Sequence, residues 1–245
     1  MRQKTVMSEQ RTDSATYCST TVQSQDEDRW LACGYASGAK QRALFALYAF
    51  QIELRRIPGA VSEPALGEIR LQWWREAFEE IRSGKPVRAH PVVEEIAETG
   101  LASESYAALI DGAIDAAAYP LYGEGFADIE ALEQWLMSAD GAIDAMGVKI
   151  LGGDQELADV AKKAGSGFAL AREGRGLAPN LAEQVADRAR AIAVNTRQLL
   201  AKASADVTPA LLHLALTKLY AARAGKAFPI RKRLKMFSAM ALGRF

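Results

Sequence analysis

The chain has 245 residues, with 30 Lys and Arg against 30 Asp and Glu. A hydrophobic share of 49% is enough for a sizeable core and excludes a disordered protein. Two cysteines and two histidines are too few for a disulfide framework or a His-rich metal site. No apolar run reaches the ~18–20 residues of a membrane span.

The balanced total conceals an uneven distribution of charge. Eight basic and no acidic residues lie between Val207 and Phe245, so residues 1–206 carry 22 basic against 30 acidic side chains. Separated charge of this kind steers a basic segment toward an acidic partner, a phosphate or an anionic membrane, but it also lets that segment pack on the protein's own acidic body. This segment predicts a partner or membrane surface with the four cations Arg231, Lys232, Arg233 and Lys235. Its apolar contacts would be Phe228, Leu234, Met236 and Phe237.

The first 25 residues are polar and rich in Ser, Thr and Gln, which predicts a disordered segment over residues 1–25. They lack the apolar stretch of a signal peptide, and Glu9 and Asp13 are untypical of a transit peptide. We therefore expect a cytoplasmic protein, peripheral to the inner membrane if its basic segment binds lipid.

From residue 26 onward, apolar residues recur at three- and four-residue steps, as from Leu44 to Leu54, and this spacing predicts helices. No convincing strand pattern and no internal linker interrupt them. The sequence therefore predicts one all-α domain over residues 26–245 with about eight or nine helices. The first helix is predicted over 42–57, and the second is capped by Ser62 and ends near residue 82. The others are predicted over 91–99, 103–118, 128–151, 155–173, 181–204, 208–224 and 229–242.

Two pairs of aspartates have i,i+4 spacing, Asp111 with Asp115 and Asp140 with Asp144. Carboxylates at this spacing lie on one helix face and can hold the Mg²⁺ of a bound diphosphate. A solvated helix face is the alternative interpretation, and a glycine inside each pair weakens a helical chelate. Asp111 and Asp115 are the metal candidates that this spacing offers.

The densest segment of the chain is EIRLQWWRE, from Glu68 to Glu76. Its adjacent tryptophans, Trp73 and Trp74, point about 100° apart on a helix, so we expect them not to share a pocket. Arg70 lies four residues before Trp74, which allows a guanidinium to stack on that indole. Of the two histidines, His90 is expected at a helix start and His213 in the core or in a groove.

These segments together resemble the squalene/phytoene synthase family of all-α head-to-head prenyltransferases. The similarity covers most of residues 26–245, and its most specific part is similar to the subgroup that includes a mitochondrial complex I assembly factor and its bacterial relatives. It implies an isoprenoid-synthase-type helical bundle. It rests on DRWL (28–31), RALFALYAF (42–50), SEP (62–64), LGEIRLQWWR (66–75), HPV (90–92), LID (109–111) and LG (151–152).

Catalytic members of this family hold Mg²⁺ and two prenyl diphosphates with two aspartate-rich motifs. By this resemblance, Arg55 and Arg56 stand where the first motif has acidic residues, and Glu53 is the carboxylate that remains. The second motif falls near Arg172 to Arg175, where about two to three helical turns are missing. The resemblance therefore implies that both metal sites have degenerated.

We expect a catalytically degenerate protein without a cofactor or a nucleic-acid partner. It would support the assembly or maintenance of a protein complex, with respiratory complex I as the candidate, or bind a prenyl diphosphate or lipid phosphate. The alternative is an active Mg²⁺-dependent prenyltransferase acting on farnesyl or geranylgeranyl diphosphate through Glu53, Asp111 and Asp115. The expected ligand contacts are Arg42, Tyr48, Arg55, Arg56, Arg70 and Trp74.

Overall fold

A computed structural model describes residues 2–123, 125–222 and 229–242, with side chains from Ser14 onward. Within these ranges every regular element is helical, which confirms the all-α prediction. The chain divides into two compact units, residues 1–122 and 123–245, and the prediction of a single domain over residues 26–245 stays a prediction. The first unit contains α1 (Arg2–Gln25), α2 (Glu27–Cys33), α3 (Gly38–Arg56), α4 (Pro64–Arg82), α5 (Pro91–Thr99) and α6 (Ala107–Ala118).

The second unit contains α7 (Ile129–Leu136), α8 (Ala142–Leu151), α9 (Gln155–Leu177), α10 (Ala182–Leu200), α11 (Thr217–Ala221) and α12 (Pro229–Leu242). The helix predicted over 128–151 is interrupted by a π-helical turn at Met137–Gly141. The helix predicted over 208–224 begins instead with two 3₁₀ turns, Thr208–Ala210 and Leu212–Leu216.

Helix α1 corrects the prediction of a disordered start. Its described side chains include Cys18 and Val22, both fully buried, and α1 packs on α3 and α5. Ser14 is buried as well and donates a hydrogen bond to Glu94 at 2.6 Å. The prediction is wrong for residues 14–25 because Ser14, Cys18, Thr21 and Val22 form a helical stripe of small side chains that composition alone does not reveal.

Helices α3 and α4 pack through aromatic side chains. The Phe50 ring on α3 meets the rings of Trp74 and Phe78 on α4 edge-on, with centroid distances of 5.2 and 5.1 Å. Helix α4 begins at Pro64, and its N-cap is Glu63 rather than the predicted Ser62, because proline fits the first helical position.

Helix α5 begins as the sequence predicted, with His90 as its N-cap. The His90 Nδ1 accepts a hydrogen bond from the Val92 N–H at 3.3 Å. Burial lowers the pKa of His90, while the nearby carboxylates of Glu53 and Glu94 act in the opposite direction. The cap and the lowered pKa both favour the neutral imidazole, because an acceptor nitrogen must be unprotonated.

Helix α9 is central to the second unit, where it packs on α7, α8, α10 and α11. The Asp144 carboxylate lies between α8 and α9 and makes a 3.0 Å hydrogen bond to the His213 Nε2, and both side chains are fully buried. The prediction of His213 in the core is confirmed. Asp140 is also buried, so the second aspartate pair is not a solvated face.

Another buried carboxylate, that of Glu133 on α7, is bound by Lys163 and Arg188 from α9 and α10. A buried carboxylate needs such partners because its desolvation is otherwise costly.

We expect the replacement Gly165→Ala on α9 to lower the free energy of unfolding by about 2 kcal/mol, as overpacking a tight contact does. A methyl group there would overlap the Asp144 carboxylate and come within 3.0 Å of the Gly141 Cα. Urea unfolding followed by circular dichroism measures the change. Gly176→Ala, on the same helix but with open space around it, is the matched control. Equal unfolding curves for the two variants would contradict the close approach.

Candidate functional site

The first unit contains a cavity of about 460 Å³ beside the C-terminal end of α3 and the first half of α4. Its wall is mainly apolar and aromatic, with charged groups contributed by both helices. A volume of this size accommodates a small organic ligand. The cavity is lined by Glu53, Arg56, Ile57, Ala60, Ile69, Arg70, Trp73, Trp74 and His90.

Two tryptophans and a histidine form the aromatic wall. Trp73 and Trp74 meet edge-on at 5.2 Å, and the His90 ring lies edge-on to them at 5.7 and 5.4 Å. The prediction that the two indoles do not share a pocket is therefore wrong, because His90 packs on both. The guanidinium over the Trp73 ring is that of Arg88, at 5.1 Å, whereas the predicted stacking paired Arg70 with Trp74.

The carboxylate of the cavity is already engaged by its neighbours. Glu53 Oε1 accepts hydrogen bonds from the Arg56 Nη1 at 2.7 Å and from the Tyr17 hydroxyl at 3.2 Å. Arg70 is exposed and has no hydrogen-bond or ion-pair partner among the described residues. The cavity therefore combines one neutralised carboxylate, two cations and an aromatic wall, an arrangement that suits an anion attached to an apolar body.

The C-terminal end of α3 does not fit Mg²⁺. Arg55 and Arg56 are the cations of its last turn, and the nearby carboxylate of Glu53 is bound to Arg56. Asp115 lies on an exposed face of α6 with Asp111 and pairs with Arg75. In the part of the chain that the structure describes, no three His, Cys, Asp or Glu side chains are grouped closely enough to hold a metal ion.

The other expected contacts serve different parts of the first unit. Arg42 binds the fully buried Glu95, with the Nη2 2.7 Å from Oε2, and this hydrogen bond raises the pKa of Arg42. Tyr48 is buried, with the Arg29 guanidinium 5.2 Å from its ring centroid. Of the predicted residues, the cavity brings together Arg56, Arg70 and Trp74. The others do not line it: Arg42, Tyr48, Arg55, Asp111 and Asp115.

Sequence reasoning missed several lining residues, among them Trp73 and His90. Trp73 follows Ile69 by four residues and Arg70 by three, so a helical wheel of α4 would have placed all three on one face. His90 reaches the cavity from the loop before α5, and no sequence spacing connects it to α3 or α4. The four predicted cations of the basic surface, Arg231, Lys232, Arg233 and Lys235, lie on α12 in the second unit.

Solved structures of similar fold include a dehydrosqualene synthase, with a TM-score of 0.74 and 14% identity over 94% of this chain and 96% of that one. A squalene synthase from Alicyclobacillus acidocaldarius has a TM-score of 0.70 and 13% identity over 88% of this chain and 95% of that one. Identities this low show the shared fold alone, and they confirm the predicted isoprenoid-synthase-type bundle.

Curated relatives include NADH dehydrogenase (ubiquinone) complex I, assembly factor 6, from Rattus norvegicus, 33% identical over 84 residues, or 34% of this chain and 25% of the relative. The Mus musculus protein of the same name is 25% identical over 154 residues, or 61% of this chain and 46% of that relative. The chain thus matches less than half the length of each.

A sequence model of squalene/phytoene synthase matches residues 22–179, which is more than half of the chain. Among the described residues, no helix has both the length and the apolar character needed to cross a membrane. Because the family model covers more than half of the sequence and the fold agrees, the chain belongs to the squalene/phytoene synthase family.

Proposed function

We propose that this chain is a non-condensing member of the family that binds an amphipathic phosphate ligand in its cavity and supports the assembly of a protein complex. The observation that carries this proposal is the ion pair between Glu53 and Arg56. The cavity thus holds a neutralised pair in place of a carboxylate cluster, and Arg70 lines it as a second cation.

Condensation of two prenyl diphosphates requires metal ions to neutralise the departing diphosphate. The two arginines that line the cavity, Arg56 and Arg70, repel a divalent cation instead of binding it. The same arginine chemistry favours a phosphate, because a guanidinium offers several N–H donors in a planar fork. This charge pattern supports a site that holds a phosphate-bearing lipid without breaking its phosphoester bond.

The assembly role is supported by the relatives, which carry the name of an assembly factor of respiratory complex I. The chain matches only part of their length, so the partner and the complex belong to the proposal. In this role the bound lipid would stabilise the fold of the first unit, since a ligand stabilises the state that binds it.

We expect the purified protein to form no coupled C30 or C40 hydrocarbon from farnesyl or geranylgeranyl diphosphate with Mg²⁺, because its cavity lacks a carboxylate cluster for the metal. Gas chromatography of the organic extract measures the product. Sustained turnover would overturn the non-condensing assignment in favour of the prenyltransferase alternative. Asp111→Asn combined with Asp115→Asn would then test whether these carboxylates serve that activity.

We expect Arg70→Gln to weaken the binding of farnesyl diphosphate by roughly tenfold or more, since a hydrogen bond to a charged group contributes about 1.5–3 kcal/mol. Isothermal titration in the presence of a chelator measures the affinity without metal. Arg55→Gln is the matched control, because this neighbouring arginine lies outside the cavity lining. A larger loss from Arg55→Gln than from Arg70→Gln would place the anion outside the cavity.

We expect deletion of the gene in its source organism to lower the amount of assembled respiratory complex I, seen on native gels, while the other respiratory complexes are unchanged. Re-expression of the wild-type chain should restore the complex. Restoration by the Arg70→Gln variant would show that ligand binding and assembly are separate functions. Normal complex I in the deletion strain would contradict the assembly role.

A further inference from the structure

Helix α12 is anchored to the second unit by one of its faces. Met236 and Ala239 on that face are 1% and 0% exposed, and the helix packs on the turn Leu212–Leu216. The Lys232 Nζ lies 5.8 Å from the centroid of the Tyr220 ring. These contacts fix which way the remaining side chains of α12 point.

The opposite face carries three large apolar side chains in solvent. Ile230, Leu234 and Phe237 are 73%, 63% and 62% exposed. At about 100° per residue they fall within a sector of roughly 60°, nearly opposite Ala239. We call these three residues the α12 stripe. Since large apolar side chains rarely align in solvent without a partner, the stripe indicates a docking surface.

Positive charge borders the α12 stripe on both sides. Arg231 and Arg233 are exposed, and helical geometry places them about 100° to one side of Ile230 and about 60° to the other. No acidic residue occurs from Val207 to Phe245. The residues of α12 that flank the stripe therefore contribute positive charge and no negative charge.

The positive region extends beyond α12 itself. Lys218 and Lys235 line one small pocket, and burial lowers the pKa of Lys235, with the charges of Arg197 and Lys218 acting in the same direction. These cations come from α10 and α11, so three helices contribute to one positive region of the second unit. A partner of this face must accept apolar side chains and carry negative charge.

We propose that the α12 stripe, with Arg231 and Arg233, docks on the surface of an anionic lipid bilayer. The helix lies flat on the membrane, its apolar residues enter the boundary of the acyl chains, and the two arginines reach the lipid phosphates on either side. An outward stripe with cations on both flanks matches an extended anionic plane. This inference uses neither the cavity nor the assembly role.

The structure also corrects the surface expected from the sequence. Met236 was expected to contact a partner but packs inside the unit. Lys232 and Lys235 turn toward the body of the unit, and Phe228 lies outside the described residues. Ile230, which the sequence prediction left out, takes part in the stripe.

We expect the full chain to co-sediment with vesicles of phosphatidylcholine and phosphatidylglycerol and to bind vesicles of phosphatidylcholine alone far more weakly. Arg231→Gln with Arg233→Gln should weaken binding to the anionic vesicles roughly 30-fold, because each basic residue near such a surface contributes about fivefold. Leu234→Ser with Phe237→Ser should abolish binding even at low salt. The matched control is Val194→Ser with Lys202→Gln, an exposed apolar residue and an exposed lysine elsewhere in the second unit.

A site-specific probe separates membrane contact from a folding defect. The native thiols of Cys18 and Cys33 are buried, and burial raises the pKa of both, so an environment-sensitive dye reacts selectively at Phe237→Cys. Its emission should shift to the blue on anionic vesicles, whereas the same dye at Val194→Cys should not respond. Equal binding by the stripe and control variants would overturn the proposal, as would a dye at Phe237→Cys that responds only to an acidic protein.

Discussion

The aromatic contact between Phe50 on α3 and the pair Trp74 and Phe78 on α4 fixes the geometry on which the site depends. Edge-on aromatic pairs contribute about 0.5–1.5 kcal/mol each beyond the area that they bury. The two rings of α4 are one helical turn apart, so one phenylalanine sets both the rotation and the height of α4 against α3. The same rotation brings Arg70 and Trp73 to the cavity beside the last turn of α3.

The C-terminal end of α3 favours basic side chains over acidic ones. The last turn of a helix exposes carbonyl groups with partial negative charge, which favours cations and opposes carboxylates. Arg55 and Arg56 are the basic residues of that turn. Acidic residues in the same place need a bound metal ion to offset their mutual repulsion and their repulsion from the partial negative charge of the helix end. Arg55 and Arg56 have no such need, because the partial negative charge of the helix end stabilises them directly.

Much of the fold was predictable because hydrophobic periodicity survives in most segments. The predicted helix over 91–99 has the bounds of α5, since His90, Pro91 and Gly100 mark both ends. Helix α1 was missed because its buried stripe consists of small and polar residues that composition assigns to disorder. The cavity was half predictable: Arg56, Arg70 and Trp74 came from motifs on α3 and α4, whereas His90 joins them only through tertiary packing.

Burial also determines which charged residues of the chain are paired inside the protein and which remain exposed. Two deeply buried carboxylates use cations of their own unit: Glu95 binds Arg42, and Glu133 binds Lys163 and Arg188. A buried acid must be satisfied in this way, because an unpaired charge in the interior costs several kcal/mol. These pairs consume basic residues of the chain before Val207, where acids are in excess. The exposed arginines of α12 have no acidic residue to neutralise in their own segment, since none occurs after Val207. The fold thus neutralises buried acids such as Glu95 and Glu133 from within, and cations lie beside exposed apolar side chains on α12.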